Sequence, residues 1–125
     1  MELNKEQILE RIDNILMSSQ LSLGVAWLLL ECVFVNCDRI CIVKENYIRR
    51  FLIGDFYQML SEKRTTYIEE LRDYSKTADE HHLIQMKIQK INELGLLLQK
   101  KEYHDDIIYL MLILNTTNNP IYFYQ

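Results

Sequence analysis

A single proline, Pro120, stands in this chain of 125 residues, and it comes almost at the end. Proline removes a backbone donor and its ring collides with the preceding helical turn, so residues 1–119 carry no proline barrier to helix. The three glycines, Gly24, Gly54 and Gly95, are scattered singly. Few loops are written in turn chemistry, which points to helices joined by short connectors.

The length is that of one domain with a proper core. With 49% hydrophobic and 26% charged residues, the balance is that of an ordinary soluble globular domain, with too much apolar content for disorder. The formal net charge of -4 has the wrong sign for a general nucleic-acid binder and is too mild for a nucleic-acid mimic.

Asn4 and Gln7 form a capping-box pair ahead of an amphipathic stripe at Ile8, Leu9, Ile12, Ile15 and Leu16. Residues 17–20 read as a short break. Residues 21–35 are apolar on almost every side, which suits a helix at the centre of a bundle; with Ser22 and Glu31 inside it, the run falls short of the roughly 20 residues a membrane span needs. Gly24 and Glu31, seven apart, share one side of that helix. The glycine would admit a close neighbour. The glutamate must be solvated, protonated or paired, for instance with Arg49 or Arg50, because an unpaired buried carboxylate is costly.

Residues 33–43 read either as a β-hairpin or as the end of one helix and the start of another, and we favour helix and connector. Residues 45–61 predict a helix with a stripe of Ile48, Leu52, Phe56, Met59 and Leu60, flanked by Tyr47 and Phe51. Thr66 with Glu69 and Thr77 with Glu80 are further capping-box pairs. The segment 64–101 is therefore one long helix or two with a kink near Lys76, since Leu71, Tyr74 and Ala78 follow one register and Ile84, Ile88, Ile91 and Leu98 another. Asp105 and Asp106 suit the positive end of a last helix, followed by eight apolar residues at 107–114. Residues 115–120 are the clearest loop. The expected fold is all-α, an antiparallel bundle of four to six helices; the alternative is α+β with short strands at 33–43 and 107–124. Residues 1–125 form a single helical domain, with 119–125 a C-terminal aromatic tail.

Chemistry is sparsely written. His81, His82 and His104 lie beside acidic residues, but in a hairpin turning near Lys101 the first two stand about 28 Å of helix from the third, and adjacent side chains diverge by about 100°. They read as solvated surface histidines. Cys32, Cys37 and Cys41 lack the close pairs of a zinc site and read as free thiols of a reducing, cytoplasmic compartment. The pairs Glu69-Glu70 and Asp105-Asp106 diverge on a helix and do not make an acid/base site. No phosphate-cradling loop and no nucleophile elbow is present. Arg49-Arg50, Lys63-Arg64, Lys87-Lys90 and Lys100-Lys101 read as a mixed-charge face. The sequence assigns no catalytic residue, no cofactor and no metal ligand.

The tail, with Ile121, Tyr122, Phe123 and Tyr124, either folds back over the bundle or docks on another chain, because aromatics dominate interface energetics. The expectation is a non-catalytic protein-interaction module: an inhibitor, immunity or antitoxin-type protein, or an adaptor. Its aromatic anchors would be Tyr103, Tyr122, Phe123 and Tyr124, and Glu31 a structural buried carboxylate. A mildly acidic surface suits a partner such as a nuclease or another nucleic-acid-handling enzyme. Richness in residues with AT-rich codons hints at a microbe, virus or mobile element. Apolar stripes on a long helix over 64–101 would favour a homodimer. The alternatives are a small metal-dependent enzyme with His81, His82 and His104 converging across a dimer, and a nucleic-acid accessory module using the basic clusters.

Overall fold

The computed structural model describes residues 4–33 and 42–117. Among them the chain is all-α: α1 Lys5–Met17, α2 Leu21–Val33, α3 Ile42–Ile53, α4 Asp55–Leu71, α5 Ala78–Leu98 and α6 Lys101–Thr117. Residues 107–117 are helical, against the alternative of a strand there. Residues 34–41, with Cys37, Cys41 and most of the possible hairpin, lie outside the described residues, as do 118–125 with Tyr122, Phe123 and Tyr124.

The expected capping box opens α1. Asn4 Oδ1 accepts from the Gln7 amide at 2.8 Å, and Gln7 Oε1 accepts from the Asn4 amide at 3.0 Å, so two donors with no partner inside the helix are satisfied together. Ile8, Ile12, Ile15 and Leu16 of the stripe are buried. After the break at 18–20 the chain reverses, so Ile15 meets Gly24 and Arg11 meets Glu31. The ideal Cβ of an alanine at 24 would stand 3.0 Å from Ile15 Cγ1, the close approach that the glycine permits. α2 is buried continuously from Val25 to Leu30, and α6 packs along it.

The segment 45–61 departs from expectation. Its stripe is buried as read, with Ile48, Leu52 and Phe56 fully inside, but the helix is divided at Gly54. The Gly54 amide still donates to the Arg50 carbonyl at 3.0 Å, yet a Cβ there would stand 2.9 Å from that same oxygen. Glycine allows the redirection, and the apolar phase carries across it.

Segment 64–101 is two helices with a discontinuity near Lys76, the second of the two readings, but the break is a full reversal rather than a kink. α4 ends at Leu71, six residues form a turn, and α5 returns antiparallel: Arg64 Nε donates to Asn92 Oδ1 at 2.8 Å, and Lys87 lies over the Tyr67 ring. The register jump marks the turn itself: Leu71 closes α4, Tyr74 lies in the turn and Ala78 opens α5, so the long-helix argument for a homodimer loses its premise. Thr77 caps α5 as expected, with Glu80 completing the box. Thr66 starts nothing. It lies inside α4, its hydroxyl donating back to the Glu62 carbonyl at 3.1 Å.

Lys101 opens α6, so Asp105 and Asp106 sit a turn inside rather than at the positive end. Asp105 instead pairs with Arg49 of α3, which holds its carboxyl below the usual range, chiefly through that hydrogen bond. One hydrophobic core draws on all six helices.

Candidate interaction surface

The hairpin of α4 and α5 leaves a groove of about 300 Å³ between its helices. Leu60 and Ile91, both almost fully buried, form its floor. Gly95 lines it opposite the Tyr57 ring, whose Cε2 lies 3.6 Å from where a Cβ would stand, an ordinary contact distance. Tyr57 and Leu96 line the groove and remain 37% and 64% exposed. The Arg64–Asn92 hydrogen bond adds a polar element to the wall. The groove thus combines an apolar floor, exposed apolar side chains and polar groups beside them.

Between α1 and α2 runs a second cleft of about 270 Å³, lined by Arg11, Asn14, Ile15, Gly24, Leu28 and Glu31. Glu31 pairs with Arg11 at 3.3 Å, not with Arg49 or Arg50 as the sequence suggested. The antiparallel turn of α1 onto α2 brings Arg11 there, whereas Arg49 is engaged by Asp105 on α6. Oε2 makes the pair; Oε1 is buried with no hydrogen-bond partner. Burial pushes the Glu31 carboxyl up, and the Arg11 charge opposes it. Glu31, expected as a structural buried carboxylate, is half-buried beside Arg11.

The histidines separate. His82 is exposed near the start of α5. His81 reaches back so that its Nε2 lies 3.0 Å from the Asp73 carbonyl. His104, expected on the surface, is buried; its Nε2 lies 2.6 Å from the Leu98 carbonyl and therefore carries the proton, tying the α5–α6 corner. Among the described residues no three His, Cys, Asp or Glu side chains gather as metal ligands would. Cys32 is buried in α2. Several basic side chains are engaged within the fold: Lys5 with Glu62, Lys63 with Asp13, Arg49 with Asp105. No described helix is long and apolar enough to cross a membrane.

Tyr103, expected as an aromatic anchor, is buried in the core. Burial raises its phenol, partly offset by the Ser22 hydroxyl, which approaches without full hydrogen-bond geometry. The side chain therefore serves packing rather than a surface contact. Sequence reading missed Tyr57, Gly95 and Leu96. A signal existed: Leu96 falls outside the buried Ile91, Leu94 and Leu98 stripe, so a large aliphatic residue was left without a place in the core. No known protein family matches this chain, and no curated protein or solved structure matches it either.

Proposed function

We propose that this chain is a non-catalytic protein-interaction module, of the inhibitor, immunity, antitoxin or adaptor kind. The observation that carries the reading is the α4–α5 groove, where Tyr57 and Leu96 stay exposed above a buried apolar floor. Leaving such side chains in water forgoes burial of about 25 cal/mol per Å², a loss that binding recovers. The net charge of -4 favours a partner whose contact surface is basic, as a nucleic-acid-handling enzyme has, with an apolar stretch to fill the groove.

The test is affinity capture from native cells with the full chain, read by mass spectrometry, beside the variants Leu96→Asp and Tyr57→Ser. Both positions are exposed, so melting should stay within a few degrees of the parent. The reading holds if one protein is recovered with the parent chain and lost with the variants. Equal recovery with all three chains, or no specific protein with any, would overturn it.

A further inference from the structure

The turn between α4 and α5 presents Tyr74 at 94% exposure, the highest among the large hydrophobic side chains of the described residues. A lone exposed apolar residue on a loose loop means little. This turn is tied on both sides of the tyrosine. The Arg72 and Asp73 amides donate to the Glu69 and Glu70 carbonyls, each at 3.1 Å. Asp73 Oδ1 accepts from the Ser75 amide at 3.0 Å and from the Ser75 hydroxyl at 2.6 Å. The Asp73 carbonyl takes His81 Nε2 at 3.0 Å and the Lys76 amide at 3.3 Å. Beyond it the reciprocal bonds of Thr77 and Glu80 lock the first turn of α5.

The surroundings also carry a sign. Residues 69–80 hold five carboxylates, Glu69, Glu70, Asp73, Asp79 and Glu80, against Arg72 and Lys76, a local net -3. That local excess of carboxylates favours a basic surface on whatever meets this aromatic. The backbone that carries the ring is already ordered by folding, so docking has only the two side-chain torsions of the tyrosine to fix. Tyrosines serve as anchors in binding surfaces because they present a large ring for so few torsions.

We propose that the α4–α5 turn is a preformed anchor that inserts the Tyr74 ring into an apolar pocket lying within a basic surface of the partner protein. The inference rests on the interaction reading above and deepens it. The anchor and the groove belong to one arm of the molecule, with Tyr57 about 20 Å of helix back from the tip. A partner gripping the tip need not fill the groove, and the two contacts are separable by mutation.

The test uses the full chain and the protein it captures from native cells, measured as recovery and, once that protein is purified, as a dissociation constant. Tyr74→Ala should weaken binding roughly thirty-fold, as loss of a central anchor does, while leaving thermal unfolding unchanged. Tyr74→Phe should keep most of the affinity because the ring is retained. Raising the salt from 0.05 to about 0.5 M should weaken the parent complex, since exposed charges are then screened. Undiminished binding by Tyr74→Ala would overturn the anchor, and if Leu96→Asp still abolished binding, the interaction reading would survive on the groove alone. Failure of every chain to capture a specific protein would overturn both.

Discussion

Replacing Gly24 by alanine sets two effects of known sign against each other. In a helix interior alanine is favoured over glycine by about 1 kcal/mol, because glycine has more backbone freedom to lose. Against this, the new methyl would stand 3.0 Å from Ile15 Cγ1 and 3.3 Å from Cγ2. Ile15 is buried at 3% exposure, and its branched side chain is stiff about χ1, so it cannot swing aside. Either α1 or α2 must shift by a few tenths of an ångström, and overpacking of this kind costs about 1–3 kcal/mol. Taking about 2 for the overlap, Gly24→Ala should destabilise by about 1 kcal/mol, or about 4 °C in melting temperature for a domain of this size. A double-mutant cycle read by urea unfolding isolates the cause. Ile15→Ala removes both γ-carbons, so in that background Gly24→Ala should stabilise by about 1 kcal/mol, the helix preference alone. Ile15→Val keeps both γ-carbons and should leave the cost unchanged. A stabilising Gly24→Ala in the parent chain, or equal effects in all three backgrounds, would refute the close-contact argument.

Gly54→Ala should destabilise by more than about 1 kcal/mol, because its Cβ would meet the Arg50 carbonyl at 2.9 Å and backbone cannot yield as a side chain does; denaturant unfolding reads this directly. Tyr67→Phe should be neutral or stabilising by up to about 1 kcal/mol, since the buried hydroxyl has no partner and the ring under Lys63 and Lys87 is kept. A loss larger than that would show the hydroxyl to be satisfied. For Glu31, burial raises the folded-state pKa above its ordinary 4.5, so above that pH the native chain holds the proton more tightly than the unfolded one. Its contribution is complete below pH 4.5 and is lost as pH rises through the folded value. Stability of the parent relative to Glu31→Gln should therefore decline with rising pH, measured upward from 4.5. Asp73, Glu80 and Asp105 are shifted down and act in the opposite sense, below their ordinary values, which leaves the Glu31 window clear.

Periodicity and end chemistry, both local, were legible in the chain itself. The stripe from Ile8 to Leu16, the all-round apolar α2 and the Thr77–Glu80 box act within a few residues of themselves, and each stands where it was read. The candidate surface was not legible in this way. Tyr57 and Leu96 lie 39 positions apart in the sequence, and only the antiparallel return of α5 brings them to one groove.

What the sequence by itself determined is the buried stripe of α1, the apolar α2 and the capped start of α5, because a 3.6-residue repeat and a capping box need no distant partner to be expressed. Tertiary structure alone decided the pairings: Glu31 with Arg11, Asp105 with Arg49, His104 inside the α5–α6 corner, and Tyr103 withdrawn while Tyr74 stands out. A register jump near Lys76 is the same string of letters whether the chain kinks or doubles back. The direction a helix takes after a turn is set by which apolar faces then bury each other, and that depends on the whole chain at once.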